Sequence, residues 1–176
     1  MQKKVAPKLK KIITVSDASK QDVIEEFQVS TDSVEVILNG IDIHTFKPGP
    51  IELVKKNRII TTASADIPLK GLKYLIKALP GIIKIFPKTK LTVIGKSPNN
   101  SEVSELIDAL DLGDFITFRS GISESEIVDL YHSSEIAVIP SLYEGFGFGA
   151  GEAMACGVPL VTTHSGGLKD VVGDCA

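Results

Sequence analysis

Glu144 and Glu152 stand with seven residues between them in the segment Pro140-Ser-Leu-Tyr-Glu144-Gly-Phe-Gly-Phe-Gly-Ala-Gly-Glu152-Ala-Met-Ala. Carboxylates so spaced can accept hydrogen bonds from two hydroxyl-bearing groups, one facing a sugar while the other reaches a ribose. Glycines alternate with Phe and Ala between them. A glycine lets backbone N–H groups approach a ligand closely and turn towards it. The plainer alternative is that both acids complement the N-terminus of the helix that follows.

Two further loops have a composition suited to anions. Ser64-Ala-Asp-Ile-Pro-Leu-Lys70-Gly71 runs from a predicted strand into a predicted helix, with Lys70 and Lys73 at the helix start. Cations there cost a few tenths of a kcal/mol against the helix dipole. Either a diphosphate occupies the spot or the lysines bend away into water. His164-Ser165-Gly166-Gly167 is again strand to helix, where exposed amides can face an anion. A lone loop histidine is more often a surface residue than a ligand, so His164 is a weak candidate and His44 and His132 weaker ones.

Two motif lookalikes fail. Gly145-Phe-Gly147-Phe-Gly-Ala150 fits G-x-G-x-x-A, but it lies too far from its strand and lacks the acidic partner for a ribose. Gly95-Lys96-Ser97 resembles the tail of a P-loop, but Lys90 stands where the leading glycine is needed.

These loops need strands and helices to hold them. Strands are predicted at Ile12–Val15, Val34–Leu38, Arg58–Ala63, Lys90–Ile94, Phe115–Phe118, Glu135–Ile139 and Leu160–Thr163. Helices are predicted from a Ser16 cap to about Phe27, and at Gly71–Phe86, Ser101–Leu110, Glu124–His132 and Gly149–Ala155. Pro80-Gly81 should kink the second of these or split it in two. Alternating strands and helices imply an α/β, Rossmann-like, doubly wound parallel sheet with helices on both faces. The most linker-like stretch, Asn39-Gly40 through Lys47-Pro48-Gly49-Pro50, is where a domain boundary is expected.

The chain has 176 residues, is 43% hydrophobic and 23% charged, and so suits a globular domain rather than a disordered one. A formal charge of −3 argues against a nucleic-acid binder. The basic run Lys3, Lys4, Lys8, Lys10 and Lys11 reads as a solvated edge ahead of a strand. Cys156 and Cys175 have no metal-ligand spacing and make no disulfide framework, so a reducing cytoplasm is expected. No apolar run is long enough to span a bilayer, and peripheral contact with a membrane surface is the most expected of the full-length protein.

The segment Ser141-Leu-Tyr-Glu144-Gly-Phe-Gly through Glu152-Ala-Met-Ala-Cys-Gly-Val-Pro resembles the E-x7-E signature of the retaining, nucleotide-sugar-dependent glycosyltransferases of group 1, or family 4, with the GT-B fold. Ile13-Thr-Val-Ser16, Ile37-Leu-Asn39-Gly40-Ile-Asp42, Phe46-Lys-Pro48, Lys70-Gly71, Val93-Ile-Gly95 and Gly166-Gly167 continue the likeness in order. The resemblance implies transfer of a sugar from a UDP-, GDP- or ADP-linked donor to a hydroxyl acceptor (a sugar, lipid or polysaccharide) with retention, and no cofactor or metal. It implies that Glu144 holds the donor sugar near its reacting carbon and that Gly145, Phe146 and Gly147 contact sugar and β-phosphate through their amides. Glu152 would bind the ribose hydroxyls, and Lys70 would neutralise the diphosphate as charge develops. Ile122 would hold the base through backbone groups, with Gly95 and Ser64 on the donor side. Residues 1–40 would be the tail of the N-terminal Rossmann-like domain and its crossing. Residues 41–176 would be the C-terminal nucleotide-sugar-binding domain, truncated at its end. Such a piece is expected to bind donor but not to transfer sugar efficiently.

The likeness departs at Ser64-Ala65, where the family usually has Gly-Arg, the arginine being a second diphosphate contact. Lys73 is a candidate to compensate. Two rival readings remain: a nucleotide-sugar 2-epimerase of similar fold, and a nucleotide-binding module without chemistry.

Overall fold

The computed structural model describes residues 2–99 and 101–175. Its first element, α1 (Gln2–Val5), continues into a 3-10 turn at Ala6–Lys8. Lys3, Lys4 and Lys8 lie in these turns and Lys10 and Lys11 follow them, all five exposed ahead of the first strand, as expected. Strand β1 (Ile12–Thr14) leads into α2 (Asp17–Phe27), where Ser16 accepts the Ser19 N–H as the expected cap. Strand β2 (Val34–Val36) pairs parallel with β1, and these two strands form a small sheet of their own.

The main sheet begins with β3 (Arg58–Thr61), followed by α3 (Leu72–Ile85), β4 (Lys90–Ile94), α4 (Glu102–Ala109), β5 (Ile116–Arg119) and α5 (Glu124–His132). It ends with β6 (Ile136–Ile139), α6 (Phe148–Ala155), β7 (Leu160–Thr162) and α7 (Leu168–Val172). All five strands are parallel, in the order β5-β4-β3-β6-β7. Ser101 and Ser123 close capping boxes at α4 and α5, which fixes where those helices start.

Side chains alternate across the strands, so consecutive residues feed two cores. On one face Ile59, Leu91 and Val93 pack under Leu72, Leu75, Ile76 and Leu79 of α3 and Val103 and Ile107 of α4. On the other face Ile60 and Ala137 meet Tyr131 of α5, Ala153 of α6, Cys156 just after it, and Phe46. The sheet is thus covered on both faces, as expected.

One expectation needs correcting. Pro80 does not split its helix; α3 runs unbroken through it. Pro80 itself is exposed at the edge of the stripe on which Leu72, Leu75, Ile76 and Leu79 are buried. Burying four such side chains, at roughly 1.5–3 kcal/mol each, outweighs the roughly 3 kcal/mol that an interior proline costs.

The strand order also says where a ligand fits. From β3 the chain steps outward to β4 and β5, then returns to place β6 on the other side of β3. The crevice between the C-terminal ends of β3 and β6 is therefore the point where strand order reverses, the usual ligand position in open α/β sheets.

Candidate functional site

A cleft of about 530 Å³ opens at that reversal point. Thr62, Ser64 and Lys70 reach it from the connection after β3, Glu144, Phe146 and Gly147 from the connection after β6, and Phe148 from the first position of α6. Gly149 and Glu152 come from α6, Ile94 from the end of β4, Ile127 from α5 and Asn39 from the stretch after β2.

Lys70 ends a 3-10 turn, and Gly71 follows in a left-handed conformation before α3 begins. A side chain on Gly71 would collide with the Pro140 carbonyl, so glycine lets the β3 and β6 connections meet here. Across that meeting the Lys70 ammonium donates to Glu144 Oε1 at 2.6 Å. The Ser141 hydroxyl donates to the same oxygen at 2.9 Å. The Glu144 side chain is only 12% exposed, so the pair is less screened than a surface ion pair.

Glu152 is held differently. It lies one turn into α6, half-buried, and its Oε2 accepts from the Tyr131 hydroxyl at 3.1 Å. No cation pairs with it among the described residues. Burial raises its carboxyl above the ordinary value, opposed by the tyrosine hydrogen bond and reinforced by the nearby charge of Glu124. Burial and the charge of Glu152 also push the Cys156 thiol up to about 11, so it stays a protonated apolar filler.

The amides of Phe148 and Gly149 open α6 and have no acceptor one turn back, so they point out of the helix start beside the cleft. Three of the glycines between the two acids also have a packing reason. A Cβ on Gly147 would meet Leu168, on Gly149 the Thr62 hydroxyl, and on Gly151 the Ile41 side chain. Only Gly145 has open space, with Ser19 Oγ at 3.7 Å from such an atom. The glycine density is accordingly explained in large part by close approach of neighbouring elements, whatever it also does for a ligand.

The structure brings Lys70, Glu144, Phe146, Gly147, Glu152 and Ser64 to one cleft. Gly145, Gly95 and Ile122 do not line it. The Gly145 carbonyl accepts from Ser19 at 3.3 Å. Gly95 lets the end of β4 lie against Ser64, whose hydroxyl accepts the Lys96 N–H at 3.0 Å. Ile122 is half-buried in the loop between β5 and α5.

Two expectations about cations and anions change. Lys73 does not reach the cleft; it pairs with Glu102 at 3.4 Å and lines a separate depression of about 230 Å³. The His164–Gly167 loop spends two of its donors on the protein. The Gly167 N–H donates to the Glu144 carbonyl at 2.7 Å and the Ser165 hydroxyl to the Ser141 carbonyl at 2.8 Å. His164 is exposed and outside the cleft lining. Ala65 is buried in the core under α3 and α4, so nothing from that position enters the cleft.

Sequence reasoning missed Tyr131, Thr62, Ile127 and Phe148. A tyrosine on the apolar stripe of α5 was the available signal, because a buried phenol needs a partner for its hydroxyl.

Among the described residues no three His, Cys, Asp or Glu side chains gather as a metal site, and no helix is long and apolar enough to cross a membrane.

The family model for glycosyl transferases group 1 matches residues 45–176. An MMP alpha-(1->4)-mannosyltransferase of Mycolicibacterium hassiacum is 40% identical over 179 residues, covering 100% of this chain and 43% of that protein. A D-inositol 3-phosphate glycosyltransferase of Kineococcus radiotolerans is 27% identical, over 93% of this chain and 42% of its own. A solved glycosyltransferase from Rickettsia africae has a TM-score of 0.79 at 25% identity, over 98% of this chain and 50% of that one. HepE of Anabaena, solved with UDP and glucose, has a TM-score of 0.78 at 24% identity, over 96% and 49%. The chain spans less than half the length of the two named relatives, 43% and 42%.

Proposed function

The chain belongs to the group 1 glycosyl transferases and corresponds to the C-terminal domain of the GT-B fold, and from that premise we propose that it binds the donor for a retaining hexosyl transfer. The donor in this reading is a nucleoside-diphosphate sugar linked through UDP, GDP or ADP. The observation that carries it is the convergence of Lys70, Glu144 and Glu152, from three separate elements, on one cleft at the reversal of strand order. The mannosyltransferase name of the 40%-identical relative favours a hexose over other sugars.

In the full-length protein the bond from the sugar's anomeric carbon to the β-phosphate oxygen breaks. A bond from that carbon to the acceptor hydroxyl oxygen forms on the same face, the hydroxyl's proton passes to the departing β-phosphate oxygen, and the nucleoside diphosphate leaves. Glu144 holds the sugar, with Ser141 fixing one of its oxygens. Lys70 exchanges its carboxylate partner for the phosphate as negative charge builds there, an electrostatic contribution of several kcal/mol in comparable sites. The amides at the start of α6 face the same charge. Glu152 accepts hydrogen bonds from the ribose hydroxyls. The boundary between residues 40 and 41, the sugar, lipid or polysaccharide acceptor and a cytoplasmic setting belong to the same proposal.

Ala65 contributes no second cation, and the cleft lining holds one lysine against two glutamates. Binding is therefore expected to be weak, roughly 10 µM to millimolar. Calorimetric titration with UDP, GDP, ADP and their sugar conjugates tests this. One nucleotide binding in that range, weakened by Lys70→Ala and by Glu152→Ala, supports the reading. A folded full-length protein that binds none of them at millimolar concentration defeats it.

A further inference from the structure

We infer that Tyr131 is a positioning residue for Glu152: its hydroxyl holds Oε2 so that Oε1 is presented to the vicinal hydroxyls of a nucleotide ribose. This rests on the donor-site reading and adds the residue that aims the acid.

Tyr131 is 1% exposed, the largest fully buried side chain among the described residues. Its ring is pinned by the edge of Phe46, with centroids 6.4 Å apart and planes at 73°. The hydroxyl lies 3.1 Å from Glu152 Oε2 and 3.2 Å from the Gly149 carbonyl. A phenol has a single hydrogen, and a charged carboxylate is the stronger acceptor for it. Gly149 and Glu152 are three apart on α6, so the one hydroxyl addresses two points of the helix start that lines the cleft.

Glu152 needs such a guide. Its carboxylate has no cation beside it, and Oε1 makes no hydrogen bond among the described residues. A half-buried glutamate with one free oxygen and three side-chain torsions has several rotamers to choose from. Tyr131 removes that choice from the side of the core, where the phenol is immobile. The raised Tyr131 and Glu152 titrations, each due first to burial, agree with a protonated phenol donating to the carboxylate. Thr62 stands behind Gly149, so the helix start cannot slide to offer Glu152 another partner.

The test uses the full-length protein with the nucleoside diphosphate that binds it tightest among UDP, GDP and ADP, and the 2′,3′-dideoxy form of the same nucleotide. Tyr131→Phe keeps the ring and deletes the hydroxyl. It is expected to weaken the ribonucleotide about tenfold, the scale of one hydrogen bond to a charged group, and to leave the dideoxy form within about twofold. Glu152→Ala is expected to do the same, and the double variant to be no worse than Glu152→Ala alone.

A merely structural tyrosine would weaken both nucleotides alike, and that result overturns the inference. So does a Tyr131→Phe protein that binds the ribonucleotide normally while Glu152→Ala does not. If Glu152→Ala itself leaves ribonucleotide binding unchanged, the ribose assignment fails, and the inference fails with it by a different route. Should the phenylalanine variant fail to fold, Glu152→Asp substitutes for it. It keeps the charge and the packed tyrosine but withdraws the carboxylate from the hydroxyl. The ribonucleotide must then bind about tenfold weaker and the dideoxy form normally; parent-like ribonucleotide binding overturns the inference.

Discussion

The loop that carries Glu144 and the helix that carries Glu152 put the same functional group into the same cleft by opposite means. In the loop the carboxylate is compensated: Lys70 and Ser141 both donate to Oε1, and the pair is closed without a ligand. On the helix it is uncompensated: a neutral phenol holds one oxygen and burial works against the charge. A ligand at Glu144 must therefore compete with a lysine already in place, whereas a ligand at Glu152 brings hydrogen bonds to an oxygen, Oε1, that has none among the described residues. In the proposed reading one position serves exchange during the reaction and the other serves affinity.

The largest effect should come from the shared lysine. If Lys70 faces the departing diphosphate as proposed, Lys70→Ala is expected to lower kcat for sugar transfer by the full-length protein about 10²–10³-fold. A fall of less than about tenfold would mean that the lysine serves only to pair with Glu144. Glu144→Gln separates the two roles. Transfer should fall roughly 10–100-fold, yet free nucleoside diphosphate should bind about two- to fivefold tighter, because Lys70 no longer has a carboxylate to leave. Calorimetry on the same preparation checks the second part. Equal or weaker binding would show that the ion pair opposes nothing, and the contrast between loop and helix would lose its basis.

Glu152→Ala should give the reverse pattern. Nucleoside diphosphate is expected to bind about tenfold weaker while kcat at saturation stays within about threefold. A matching drop in kcat would place Glu152 in the chemistry and erase the distinction from Glu144.

How far the two regions could be read beforehand follows the same division. The strand and helix alternation, the Ser16 cap and the spacing of the two acids are local features, and each has a direct physical consequence for the chain near it. The pairing of Lys70 with Glu144 joins residues 74 apart and depends on β6 returning to lie beside β3. Nothing in either loop specifies that neighbour. The Tyr131 contact was hidden for a related reason: on α5 the residue fits an apolar stripe, and its hydroxyl acquires meaning only when α6 packs alongside. The glycines misled in part, since Gly149 and Gly151 answer to Thr62 and Ile41, whose approach belongs to tertiary packing. Lys73 misled through direction, because a helix-start position does not say which neighbour its long side chain finds, and it found Glu102.

The smallest effect concerns stability, and it would show whether the helix acid is strained as the contrast requires. The Glu152 carboxyl titrates above its ordinary value in the folded chain, first because of burial. The folded state then binds that proton more tightly than the unfolded state does. Its contribution to stability is thus full below the unfolded value, near 4.3, and is lost as pH rises through the raised folded value. At neutral pH the parent chain carries this cost, whereas Glu152→Gln does not, and the amide oxygen can still accept from Tyr131. Glu152→Gln should therefore be more stable than the parent at pH 7, by about 0.5 kcal/mol or less once solvent screening of a half-exposed acid is allowed for. The gain should vanish near pH 4, where the parent's carboxyl is itself protonated. Glu144→Gln should show no such gain, because it breaks a closed ion pair. Urea melts of the three proteins at both pH values would measure this. A Glu152→Gln protein less stable than its parent at pH 7 would mean that the charge on the helix is already satisfied, and that the ligand is not needed to satisfy it.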